Sequence, residues 1–168
     1  EKSSHLAVCC VLDNEEVGSS TKQGAASTFL YDTLTRMHDS LGHTREDYLI
    51  HLADSFMLSA DNAHAVHPNH PDKSDPSNRP YLNGGIVLKF NANQKYCTDG
   101  VSAAMFRDIC NEAGVPVQTF SNRSDMAGGS TLGNISNTQV ALNTADIGLP
   151  QLAMHSPYET AGVEDTEY

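Results

Sequence analysis

The chain has 168 residues, 39% of them hydrophobic and 18% charged, a balance that suits one globular unit and excludes a disordered or fibrous segment. Ten Lys and Arg against 21 Asp and Glu leave a net charge of −11, which repels phosphate backbones and argues against nucleic-acid binding. No run approaches the ~18 apolar residues that a membrane span needs, so no membrane partner is expected.

His5 to Leu12 is a continuous apolar run ending at Asp13-Asn14-Glu15-Glu16, and it reads as a strand buried on both faces. Phe29, Leu30, Leu34, Met37 and Leu41 recur at threes and fours, predicting a helix that Gly42 stops. Thr44 with Asp47 three residues on has the form of a second helix start. Ser55 to Ala60 is a short strand terminated by Asp61, and residues 67–83, with four prolines, form a long surface loop. Gly85 to Phe90 is a strand, Val101 to Ala113 a helix closed by Gly114, and Val115 to Phe120 a further strand. Gly128-Gly129-Ser130-Thr131 opens another helix, and Gln151 to Met154 leads into His155. Strands alternating with helices predict an α/β fold, a layered α/β/α sheet flanked by helices.

Three apolar runs end in Glu15-Glu16, Asp61 and His155, and functional residues of open α/β sheets collect beyond strand ends. Adjacent carboxylates repel unless a cation or proton compensates them. One of such a pair can ligate a metal while its neighbour acts as general base. His64, His67 and His70 stand at intervals of three, but Pro68 and Asn69 prevent one regular helical face. They fit hydrogen bonding or substrate contact better than ligation. Lys89, a lone charge within its strand, is expected on an exposed edge or face. Cys9, Cys10, Cys97 and Cys110 form neither a CxxC motif nor a disulfide ladder, so buried reduced thiols and a cytoplasmic location are expected. With no GxSxG or GxGxxG motif, metal-assisted hydrolysis is the enzymatic chemistry left.

Leu12-Asp-Asn-Glu-Glu-Val-Gly-Ser19, Ser59-Ala-Asp-Asn-Ala-His-Ala-Val-His-Pro-Asn69 and Leu152-Ala-Met-His-Ser156 together resemble the M18 metallopeptidases, the aspartyl aminopeptidase family, in its bacterial form. Ser124-Asp-Met-Ala-Gly-Gly-Ser-Thr-Leu-Gly133 extends the resemblance, which runs from about residue 6 to residue 165. It implies a cytosolic aminopeptidase with two zinc ions (Co2+ or Mn2+ as substitutes), acting on peptides with acidic N-terminal residues and assembled as a homo-oligomeric dodecamer. Carried onto matching positions, Glu15 is the general base, Glu16 and His155 ligate one metal and Asp61 the other. Lys89, His64 and His67 fall where the family has substrate-side residues. The family also uses an upstream His, a bridging Asp and an inserted oligomerisation domain. None lies within residues 1–168, which therefore correspond to the C-terminal portion of one catalytic domain. The expectation is an active parent protein and an inactive isolated chain; the alternative is a non-catalytic assembly module or pseudo-enzyme.

Overall fold

A computed structural model describes residues 5–168. The chain runs through helices α1 (Phe29–Ser40) and α2 (Arg45–Ala53), strands β1 (Phe56–Ala60), β2 (Ala63–His64) and β3 (Ile86–Phe90), and helix α3 (Gly100–Ala113). Strand β4 (Val117–Ser121), helix α4 (Leu132–Ser136) and strands β5 (Asn143–Gly148), β6 (Pro150–Leu152) and β7 (Thr160–Ala161) follow.

Local chemistry sets the helix ends. Thr44 Oγ1 accepts the Asp47 amide and Asp47 Oδ2 accepts the Thr44 amide at 2.8 Å, a reciprocal cap that starts α2. Asp99 likewise accepts the amides of Val101 and Ser102, and Gly114 ends α3 at φ 72°. α1 stops ahead of Gly42, whose φ of 78° a side chain would resist.

Four strands form the main sheet in the order β1-β5-β3-β4. β1 pairs with β5 and β3 with β4 in parallel, whereas β3 and β5 run antiparallel. α3 covers one face, where Ala103, Phe106 and Cys110 bury Leu88, Ala145 and Ile147. Because side chains alternate along a strand, Val87, Lys89 and Asp146 face the other way. On that side Val87 packs with Ala63, Tyr96 and Phe120, and α4 contacts β1 and β5. Helices on both faces give the expected layered architecture. A smaller sheet, β2-β6-β7, continues from the ends of β1 and β5 and leads to His155.

Three expectations change. Residues 5–12 form no strand: Leu6, Val8 and Val11 are exposed, and the run joins neither of the two sheets. An apolar strand needs paired edges as well as covered faces. Lys89 lies on the second-layer side of central strand β3 rather than at an edge, and only 2% of it reaches solvent. Of the thiols only Cys110 is buried; Cys97 and Cys10 are half-buried and Cys9 is exposed, although all four are free.

Candidate functional site

Glu15 and Glu16 occupy a single 3₁₀ turn, Glu15–Val17, squeezed between two left-handed residues, Asn14 at φ 59° and Gly18 at φ 103°. The turn is closed by Gly18 N–H on Glu15 O at 3.0 Å and by Ser19 N–H on Asn14 O at 2.8 Å. Gly24 is required there, since a Cβ at this position would meet Ser19 O at 2.1 Å. His155 lies in a second constrained loop, itself at φ 66° with Ala153 at 54°. Left-handed backbone is costly for residues other than glycine and persists only where the surroundings impose it. The two loops, far apart in sequence, meet: Glu16 Oε2 is 2.8 Å from His155 Nε2, with both side chains largely exposed.

Asp61 follows the last residue of β1. Its N–H donates to Ile147 O at 3.0 Å, and Ala63 N–H donates to Leu149 O at 2.8 Å, so it stays in register with the strand turning from β5 to β6. Gly148 permits that approach, because a Cβ there would meet Asp61 O at 1.8 Å. From beneath, Lys89 Nζ donates to Asp61 O at 2.9 Å, lies 3.5 Å from Asp61 Oδ2, and rests over the Tyr96 ring at 5.1 Å from its centroid. Burial pulls the Lys89 ammonium below its ordinary pKa, while Asp61, Asp146 and Glu15 pull it back up.

The half-buried Glu15 carboxyl is pushed above the usual glutamate range by burial, then by the negative charges of Asp61 and Glu16. His155 and Lys89 act in the opposite direction. Glu15, Glu16, Asp61, Lys89 and His155 therefore share one electrostatic neighbourhood. His64, at the end of β2, borders it: desolvation lowers its imidazole pKa first, and the charges of Lys89 and His155 add to this. His67 is engaged elsewhere, its Nδ1 accepting the Asn69 amide at 3.2 Å and its ring 5.6 Å from that of His70.

A carboxylate and an imidazole are donors that zinc accepts, so the Glu16–His155 pair fits one ion in kind. It falls short in number, since catalytic zinc usually has three protein ligands. Among the described residues no group of three or more His, Cys, Asp or Glu is arranged to hold a metal.

Asp146 is not among the residues that the sequence singles out. It is fully buried below the site, Oδ1 accepting from Thr131 Oγ1 at 2.7 Å and Oδ2 from the Cys97 amide, while its own N–H donates to Thr98 Oγ1 at 2.8 Å. The available signal was a period of two in residues 143–148: Ala145 and Ile147 alternate with Thr144, Asp146 and Gly148.

Comparison with known proteins places the chain in a family. Residues 1–168 match the family described as Aminopeptidase I zinc metalloprotease (M18). The chain is 52% identical to a probable M18 family aminopeptidase 2 from Clostridium novyi, covering 99% of this chain and 38% of that protein. Identity to a probable aspartyl aminopeptidase from Ricinus communis is 40%, covering 100% of this chain and 34% of the relative. The chain thus spans little more than a third of the length of either curated relative. Among solved structures, the mApe1 dodecamer of S. cerevisiae superposes with a TM-score of 0.78 at 32% identity, covering 93% of this chain and 34% of that one. The chain belongs to the M18 zinc metalloproteases, the aminopeptidase I family.

Proposed function

We propose that the whole protein is a zinc-dependent aminopeptidase that removes N-terminal residues from peptides, with acidic residues preferred. The meeting of Glu16 with His155 at 2.8 Å, from opposite ends of the chain, is the observation that carries this reading. Glu16 and His155 would hold one zinc ion and Asp61 the second, with Co2+ or Mn2+ as substitutes. Zinc, when bound, supplies the Lewis acidity that polarises a scissile carbonyl and stabilises the charge developing on it.

The chain's own residues do the rest. Glu15, flanked by ligand carboxylates and raised in pKa, takes the proton from the attacking water and hands it to the departing amine. Lys89 holds the backbone behind Asp61 and offsets its charge, so its influence on acidic substrates is exerted through the site's field. His64, at the rim, contacts the peptide, and His67 supports its loop. The relative named as an aspartyl aminopeptidase supports the acidic preference, and the dodecameric neighbour supports a homo-oligomer. No helix among the described residues is long and apolar enough to cross a membrane, and four free thiols suit a cytoplasmic location.

In the whole protein, Glu15→Gln is expected to cut kcat by at least about a hundredfold. It should leave bound zinc, measured by atomic absorption, unchanged. Zinc lost along with activity would make Glu15 a ligand and overturn the assignment. The isolated chain, with too few donors, is expected to be inactive; parent-like cleavage of an Asp-linked substrate by it would refute that. The absence of a three-donor group among the described residues favours a second reading, a non-catalytic assembly module. Two zinc ions per subunit in the purified whole protein would eliminate it.

A further inference from the structure

The hairpin of α1 and α2 carries a cluster that the peptidase site does not use. His38 Nε2 lies 2.7 Å from His51 Nδ1, and the His43 ring packs against both, with centroids 4.5 Å from His38 and 5.2 Å from His51. The Tyr48 ring stands edge-on to His38 at 5.4 Å and to Tyr31 at 6.2 Å. α1 has no fully buried side chain and α2 buries only Tyr48; His38 and Tyr31 of α1 meet His51 and Tyr48 of α2 through these rings. The Arg45 guanidinium stacks over Tyr48 at 4.9 Å and Tyr31 at 5.8 Å.

Proton counting gives this arrangement a direction. A nitrogen-to-nitrogen contact of 2.7 Å needs one proton between the two rings: one nitrogen donates and the other accepts. The pair can exist with both rings neutral or with one charged. Two charged rings place a proton on each facing nitrogen and abolish the bond. His38 Nδ1 is buried without a partner, so a proton added there gains no compensating acceptor. We propose that His38, His43 and His51 form a proton-sensitive clasp, holding α1 against α2 while their imidazoles are neutral and loosening the hairpin when they charge.

The groups facing His38 are His43 from the connecting loop, Tyr48, Asp47 and His51 from α2, and Asp39 from its own helix. Desolvation first, then the charges of His43 and His51, hold the His38 pKa below its ordinary value; Asp47 and Asp39 oppose this without reversing it. The open hairpin therefore binds protons that the closed one refuses. Closure is fully favoured above the ordinary imidazole value of about 6.5. It is lost as the pH falls through that value toward the lowered one.

The test combines imidazole NMR titration with amide hydrogen exchange on the chain as it stands. His38 is expected to titrate below about 6.5. Protection of residues 29–53, corrected for intrinsic exchange, should fall by up to about tenfold per pH unit per proton between about pH 6.5 and pH 5. Protection of α3 should hold over the same range. His51→Gln should raise the His38 midpoint toward the ordinary value and flatten the pH dependence. His43→Gln, at an exposed position, should act in the same sense where His51→Gln weakens the hairpin at neutral pH. A His38 midpoint at or above the ordinary value, or protection of 29–53 that tracks α3 at every pH, would overturn the proposal.

Discussion

Lys89 and Asp146 show how much of a candidate site can rest on buried side chains. Lys89 is 2% exposed, yet its ammonium reaches Asp61 O and Asn62 O, so its stem fills the core while its tip braces the loop. Replacing it with Met keeps the stem and loses the charged hydrogen bonds, an expected cost of about 2 kcal/mol. Lys89→Ala adds a cavity and should cost about 3 kcal/mol. Urea denaturation of the two variants separates the contributions; equal losses would mean that the charged tip carries the residue's whole worth. Asp146→Ala strands the Thr131 hydroxyl and the Cys97 amide without their acceptor and should cost about 3 kcal/mol by the same measurement. Glu15, Glu16, Asp61 and His155 stand out in the sequence as candidates because each follows an apolar run within a distinctive block. Asp146 does not, because a lone acid in the middle of a short strand resembles a loop residue until its partners are visible. The burial of Lys89 was hidden for a related reason: sequence displays the charge but not the carbonyls and aromatic ring that compensate it.

At the level of elements, caps and period-3.6 stripes announced α1, α2 and α3, and short apolar runs announced β1, β3 and β4. β5 has no such signal, although it is the partner of both β1 and β3. Its six residues, Asn143 to Gly148, contain only two large or apolar members facing α3, and the polar alternates face a layer built from hydrogen bonds. Residues 5–12 show the reverse: their hydrophobicity suits a strand, yet the run joins neither sheet. Gly148 ties the elements to the site, since it lets the Asp61 backbone cross the end of β5 within contact distance. Gly148→Ala places a methyl group where only 1.8 Å separates the new atom from Asp61 O. The loop must shift, and the expected cost is about 1–3 kcal/mol of stability. The displacement should be visible as amide chemical-shift changes at Asp61, Asn62 and Lys89. Shift changes confined to β5 and β6 would show that the strand, and not the loop, gives way.

The molecule as a whole combines a strongly acidic surface with apolar groups that its own fold leaves uncovered. Leu6, Val8 and Val11 lie open along the opening run, and Val101, Met105 and Ile109 make an exposed stripe at intervals of four along α3. β1 is an edge strand whose outer hydrogen-bonding groups have no ladder partner among the described residues. Apolar burial and edge pairing favour self-association, whereas a net charge of −11 per chain opposes it. Salt tips the balance by shortening the Debye length from ~30 Å at 0.01 M to ~3 Å at 1 M. Sedimentation velocity should accordingly record a largely monomeric chain at low salt and growing association as NaCl is raised over that range. The double substitution Val8→Glu with Val11→Glu adds two charges at exposed positions. It should suppress the association while leaving the unfolding free energy from urea denaturation within about 0.5 kcal/mol of the parent chain. Association that ignores salt would assign the contact to an uncharged surface, and association that survives the double substitution would move it from the opening run to the α3 stripe or the β1 edge.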